Sequence, residues 1–172
     1  GFPDLYVVND FGRNTLYRNN QNGTFSDVTV ETNTLAYGAG MSASFADYDN
    51  DGYPDVLVLR GGWQKAAGLQ PNSLLRNNGN GTFDDVTEAA GILTYRPRQT
   101  AAWADFDGDG WLDLFIGNEP APPNPDQMPC ELYHNNRDGT FTDCAWRLGL
   151  AVDGVCKAAV WGDYNNDGRP DL

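Results

Sequence analysis

Asp47-Tyr48-Asp49-Asn50-Asp51-Gly52-Tyr53-Pro54-Asp55 sets four carboxylates at positions 1, 3, 5 and 9 of one short loop, with glycine at position 6. Carboxylates packed this closely repel one another, so the loop calls for a cation to close it. Ca2+ fits, because it takes roughly six to eight oxygen ligands at about 2.3–2.6 Å. The glycine permits a sharp turn, and the backbone carbonyl of Tyr53 at position 7 can add a ligand. The loop returns as Asp105-Phe106-Asp107-Gly108-Asp109-Gly110-Trp111-Leu112-Asp113, and again as Asp163-Tyr164-Asn165-Asn166-Asp167-Gly168-Arg169-Pro170-Asp171. Each copy starts 58 residues after the last.

A second block keeps the same frame. Leu74-Leu75-Arg76-Asn77-Asn78-Gly79-Asn80-Gly81-Thr82-Phe83 has counterparts beginning at Leu16 and Leu132, again 58 residues apart. Between the blocks, each repeat reads as four short strands. Met41–Ala46 runs into the acidic loop, and Val56–Leu59 is a continuous apolar run of the kind buried on both faces. Ser73–Asn77 and Phe83–Thr87 flank Asn80-Gly81, a hairpin signal because both residues tolerate positive φ. Helical signal is confined to single turns at Glu88-Ala89-Ala90 and Ala145–Leu148. Four-stranded units repeated in tandem at this length predict an all-β chain of β-propeller blades.

The frame divides the chain into a partial blade over 1–37 and complete blades over 38–95 and 96–153. The first strand and acidic loop of a further blade follow over 154–172. Propellers typically need at least four blades, so this partial propeller of about three 58-residue repeats is expected to be a segment of a longer chain, or to be completed by a neighbour.

Composition agrees with a globular β protein: 40% hydrophobic, with 20 Gly and 10 Pro to build turns. The net charge of −13 argues against nucleic acid or an anionic membrane as partner. Of 24 acidic residues 11 lie in the three loops, so three bound Ca2+ would bring the total to about −7. No apolar stretch reaches membrane-spanning length, so membrane insertion is not expected.

An EF-hand would place a bidentate Glu at position 12 between two helices. Here position 12 is Val58 or Ile116 and strands flank the loop. Phe45–Val58 together with Leu74–Phe83 instead resembles the FG-GAP/VCBS repeat family, and in particular its ASPIC/UnbV-associated and cartilage acidic protein-like groups. The resemblance covers essentially the whole chain. It implies a propeller similar to the integrin α-subunit head, with Ca2+ between the first two strands of each blade. It carries ligand roles onto Asp47, Asp49, Asp51, Tyr53 (carbonyl) and Asp55. The second set is Asp105, Asp107, Asp109, Trp111 (carbonyl) and Asp113; the third is Asp163, Asn165, Asp167, Arg169 (carbonyl) and Asp171.

Folding the third hairpin about Arg137-Asp138 sets Cys130 across from Cys144, within reach of a disulfide, while Cys156 belongs to the next blade. A bridge would suit an exported protein. His134 stands where other repeats place Arg18 and Arg76, which reads as an exposed strand position. The connections Asn9–Asn14, Arg60–Asn72 and Gly117–Cys130 differ most between repeats and face away from the acidic loops. Variable loops on a rigid scaffold carry specificity, which makes Phe11, Trp63 and the Pro120–Pro129 segment candidates for partner contact, with Trp63 and Tyr95 as aromatic rings on which a sugar could stack.

No nucleophile–base order is recognisable, and protein groups fill the ligand positions of the loops. The preferred reading is therefore a calcium-binding extracellular or cell-surface propeller segment serving as a non-enzymatic adhesion, recognition or assembly scaffold for an unknown protein or glycan. The alternatives are a carbohydrate-binding propeller, a fibre subunit joined by strand exchange through incomplete terminal blades, and an accessory propeller of a polysaccharide-degrading enzyme. Asn165 stands where the other loops carry Asp49 and Asp107, so the third loop loses one charge. Calorimetric titration with Ca2+ should resolve two tighter sites and one weaker; three equal sites would refute this.

Overall fold

The computed structural model describes residues 2–123 and 128–172. Its strands are β1 (Leu5–Val7), β2 (Thr15–Asn19), β3 (Phe25–Asp27), β4 (Gly40–Ala46), β5 (Asp55–Arg60) and β6 (Ser73–Asn77). They continue as β7 (Phe83–Asp85), β8 (Arg98–Ala104), β9 (Asp113–Asn118), β10 (Glu131–Asn135) and β11 (Phe141–Asp143). One helical turn, α1 (Ala145–Leu148), and one 3-10 turn (Lys65–Gly68) accompany them. Three antiparallel meanders result: β1-β2-β3, β4-β5-β6-β7 and β8-β9-β10-β11.

The continuous apolar run predicted for Val56–Leu59 is explained by where alternate side chains go. Val56 and Val58 enter a cluster with Tyr6, Leu16 and Val28 of the preceding sheet. Leu57 and Leu59 enter a second cluster with Leu114, Ile116 and Tyr133 of the following sheet. Successive residues of a strand point to opposite faces, so β5 reads apolar throughout because both its faces are covered. β9 does the same, with Leu114 and Ile116 turned to one cluster and Phe115 to a third with Cys130 and Cys144. The cores therefore lie between sheets rather than within them, the packing expected of stacked blades.

The stacking repeats with the sequence. The amide of Phe83 donates to Thr32 O at 2.8 Å and that of Phe141 to Ala90 O at 2.9 Å, residues one repeat apart. Trp103 Nε1 of β8 donates to Ser44 Oγ of β4 at 3.0 Å, and Trp161 Nε1 of the segment that follows the third sheet donates to Ala102 O of β8 at 3.2 Å. β4 and β8 are thereby neighbours, as first strands are about a propeller axis.

Two expectations shift. The fourth strand ends at Asp85 rather than Thr87, because the Asp85 carboxylate accepts the Thr87 amide at 3.1 Å while Thr87 Oγ1 accepts the Leu74 amide at 2.8 Å. The chain turns there in place of a longer ladder. The third hairpin pairs Tyr133 with Asp143 and Asn135 with Phe141, which sets Cys144 across from Leu132, not Cys130. Its five-residue turn, closed by the Asn136 amide on Thr140 O at 2.9 Å, moves the residue opposite Cys144 two places along the strand, from Cys130 to Leu132. Cys130 and Cys144 are buried free thiols.

A fully buried Leu57 between two sheets tests whether the cores are shared. Leu57→Ala should lower stability by about 2–5 kcal/mol, measured as a lower urea midpoint; a change under about 1 kcal/mol would contradict the packing described.

Candidate metal centres

Each acidic loop is built by the same set of hydrogen bonds. In the first, Asp47 accepts the amides of Asp51 and Gly52, both at 3.0 Å, and Asp51 accepts the Tyr53 amide at 2.8 Å. In the second, Asp105 accepts from Asp109 and Gly110 at 2.9 Å, and Asp109 from Trp111 at 2.8 Å. In the third, Asp163 accepts from Asp167 and Gly168 at 3.0 and 2.8 Å, and Asp167 from Arg169 at 2.9 Å. Positions 4 and 6 have positive φ throughout: Asn50 and Gly52, Gly108 and Gly110, Asn166 and Gly168. Only Gly and Asn take this conformation readily, and these are the residues the sequence supplies.

The position-9 carboxylate ties the loop to the sheet. Asp55 Oδ2 accepts the Tyr48 amide at 3.2 Å while Oδ1 accepts the Asn77 amide of β6 at 2.8 Å. Asp113 repeats this with Phe106 at 3.2 Å and Asn135 of β10 at 2.8 Å. Asp171 accepts from Tyr164 at 3.2 Å, and a bridge between Gly162 and Asp171 closes the third loop. Burial pushes the Asp55 carboxyl up to about 7, with Asp49 and Asp51 adding to the rise. Asp113 is raised too, chiefly by burial, with Asp107 adding to the rise and the bonds from the Asn135 and Phe106 amides opposing it. Asp49 is raised by burial and then by Asp51.

One oxygen from each of Asp47, Asp49 and Asp55 lies within 4.8 Å of the others, and so does one from each of Asp105, Asp107 and Asp109. Oxygens on opposite sides of one Ca2+ stand about 4.8 Å apart, so these spacings fit a single hard cation. The donor chemistry fits as well, being all oxygen in the first loop. Asp51 and the Tyr53 carbonyl belong to the same turn, as do Asp109 and the Trp111 carbonyl. In the third loop Asn165 Nδ2 donates to Asp167 Oδ2 at 3.1 Å, a contact between ligand candidates that a carboxylate could not make.

The loops gather on one face, where Asn50 Nδ2 donates to Gly110 O at 3.1 Å across a repeat boundary. Basic residues line it. Arg137 Nε donates to Asp109 Oδ2 at 2.8 Å. His134 is half-buried, not the exposed strand residue expected: its Nδ1 lies 3.2 Å from Asp113 Oδ1 and 3.5 Å from Asp107 Oδ2. The sequence held a signal for this. Arg18, Arg76 and His134 put a nitrogen-bearing side chain at one repeat position, next to a strand whose Asn amide meets the acidic loop.

The opposite ends of the strands carry the variable connections. Phe11 and Trp63 are exposed and meet edge-to-face, with ring centroids 6.1 Å apart. Tyr95 is exposed one repeat along, beside Pro71, and takes no part in that pair. Residues 124–127 of the Pro120–Pro129 segment lie outside the described residues. Sequence reading missed Glu119, which accepts the Trp63 amide at 2.5 Å and Gln99 Nε2 at 2.6 Å and pairs with Lys157. Burial alone would raise its carboxyl, but the bonds from Lys157, Trp63 and Gln99 outweigh it and hold it below the usual range.

Stacked antiparallel meanders with a repeated acidic loop after each first strand define a tandem β-propeller repeat protein. The chain matches the FG-GAP-like repeat over residues 1–58, 66–116 and 124–172, and it belongs to that family. The breaks in the match fall on 59–65 and 117–123, the connections that carry Trp63 and Glu119. It is similar to cartilage acidic protein 1 of Xenopus tropicalis, 30% identical over 116 residues, covering 67% of this chain and 17% of that protein. The mouse protein of that name is 29% identical over 171 residues, covering 98% of this chain and 26% of its own length. The human one is 28% identical over 171 residues, covering 98% and 25%. The chain thus spans about a quarter or less of the length of these relatives.

A carboxyl raised from 3.8 to about 7 binds its proton more tightly in the fold than in the unfolded chain. Its stabilising contribution is complete below about pH 4 and is lost as pH rises through about 7. With divalent cations chelated, the urea midpoint of the protein relative to that of Asp55→Asn should fall across this window. A difference independent of pH would contradict the burial of an uncompensated Asp55.

Proposed function

We propose that this chain is a calcium-stabilised segment of an extracellular β-propeller, used as a non-enzymatic scaffold for recognition or assembly. The observation that carries the reading is the threefold recurrence of one oxygen-rich loop with one hydrogen-bonding pattern. Ca2+ would be held by Asp47, Asp49, Asp51, Asp55 and the Tyr53 carbonyl, with Asp105, Asp107, Asp109, Asp113 and the Trp111 carbonyl holding a second. Asp163, Asn165, Asp167, Asp171 and the Arg169 carbonyl would hold a third. When bound, the cation supplies the positive charge that lets buried carboxylates such as Asp55 stay ionised. The protein's part is to aim these oxygens through backbone turns. Protein groups fill the proposed ligand sets, so the ions act as pins between strands rather than as reaction centres.

The extracellular placement draws on the similarity to proteins named for cartilage, where millimolar Ca2+ suits modules with dissociation constants of about 10⁻⁴–10⁻³ M. No helix among the described residues is long and apolar enough to cross a membrane. The exposed Phe11–Trp63 pair favours a second reading of the opposite face, as a platform on which a sugar ring stacks. A glycan array comparing the protein with Trp63→Ala would distinguish glycan recognition from a protein-binding role.

Thermal unfolding tests the calcium reading. Ca2+ at about 100 times its dissociation constant adds about 2.7 kcal/mol per site, a rise of several degrees in Tm for a chain this size. Chelator should reverse the rise, and Asp55→Asn and Asp113→Asn should each remove part of it. A Tm indifferent to Ca2+ and chelator would overturn the reading.

A further inference from the structure

Cys130 and Cys156 face each other across a boundary between repeats, through an opening made by Gly117. β9 and β10 pair Ile116 with Glu131, so one step further along the ladder Gly117 lies beside Cys130. Cys156 arrives from the next repeat, with its amide donating to Asn118 O at 3.1 Å. A Cβ built on Gly117 would stand 2.5 Å from Cys156 Sγ, so the sulfur occupies the space a side chain there would fill. Cys130 and Cys156 line the same apolar cavity, with Phe115, Leu150 and Val152. Burial, and then the nearby Cys130 thiol, pushes the Cys156 thiol up to about 11.

The other boundaries show what is special here. The same three places are held by Val8, Asn14 and Gly40 at the first boundary, and by Leu59, Asn72 and Arg98 at the second. At the first, Gly40 donates its amide to Asn9 O at 3.0 Å, and a Cβ on it would lie 2.8 Å from Val8 Cγ1. The large side chain sits on the sheet and the incoming strand is bare. At the third the arrangement is reversed: the sheet is bare at Gly117 and the incoming segment brings Cys156. Cysteine stands at both remaining places of that boundary and of neither other.

We propose that Cys130 and Cys156 form a disulfide that staples the β8–β11 sheet to the segment that opens the following repeat. Cys144 is left out because its Sγ donates to Leu132 O at 3.3 Å within its own hairpin. The oxidant is a low-molecular-weight disulfide, and the step is thiol–disulfide exchange. Cys156, the more exposed thiol, loses its proton, attacks one sulfur of the oxidant and releases one thiolate. Cys130 then loses its proton and attacks the mixed disulfide at the Cys156 sulfur, releasing the second. The pair gives up two electrons and two protons, and the oxidant leaves as two thiols. Only the supply of such an oxidant rests on the extracellular reading, and no cation ligand takes part.

The three cysteines fall on three different tryptic peptides, cut after Arg98, Arg137, Arg147 and Lys157. The protein is incubated with oxidised glutathione, alkylated and digested without reduction, and the peptides are read by mass spectrometry. The result expected is one linked pair joining the Cys130 and Cys156 peptides, with Cys144 alkylated. Cys144→Ser should keep the link, and Cys156→Ser should leave Cys130 unlinked to any peptide of the chain. Linkage through Cys144, or Cys130 and Cys156 both recovered unlinked, overturns the proposal. A Ca2+ titration of the same oxidised sample reports separately on the acidic loops, so failure of either reading is recognisable by itself.

Discussion

The carboxylate of Asp55 is the point at which loop, hairpin and sheet are joined. It accepts one amide from the acidic loop and one from β6, while buried among other carboxylates. Ionised carboxylates of like charge in a partly desolvated site repel, which is why burial and its neighbours push Asp55 so far up. The loop has this shape only if that repulsion is relieved, by protons or by a cation. Asp113 occupies the same place one repeat later and meets the same pair of amides. The strand that follows each such Asp is buried on both faces, so the orientation of the loop fixes the strand that two cores share.

That sharing explains why the repeats come in tandem. β5 cannot bury Val56 and Leu57 against one sheet, because the two side chains point to opposite sides. Units of this kind are stable only with neighbours. The Phe83–Thr32 and Phe141–Ala90 bonds then lock each outer strand to the turn before it. A buried Arg98–Glu131 pair, supported by Asn118 and the Tyr133 hydroxyl, crosses the third sheet at the end away from the acidic loops. Pairs of this kind are costly to break from one side, so they specify the packing more than they strengthen it.

Much of this was legible in the residues. The 58-residue spacing gave the repeat, Val56–Leu59 a doubly buried strand, and Asn or Gly at positions 4 and 6 the turn of each acidic loop. Less legible was anything set by exact register. A turn of five residues placed Cys144 against Leu132 rather than against Cys130. The surroundings of His134 depended on which face of β10 looks toward the loop, and those of Glu119 on connections that have no common length between repeats. Local patterns report local turns; contacts between repeats depend on how sheets stack, which periodicity alone does not contain.

In the proposed function a cation closes the acidic loops and, through the position-9 carboxylates, the sheets. Amide hydrogen exchange at single-residue resolution, with Ca2+ and with chelator, tests this most directly. The amides of Asp51, Gly52, Tyr53 and Asn77, and those of Asp109, Gly110, Trp111 and Asn135, should be slowed together by Ca2+. Exchange at these amides that is the same in both conditions would contradict it.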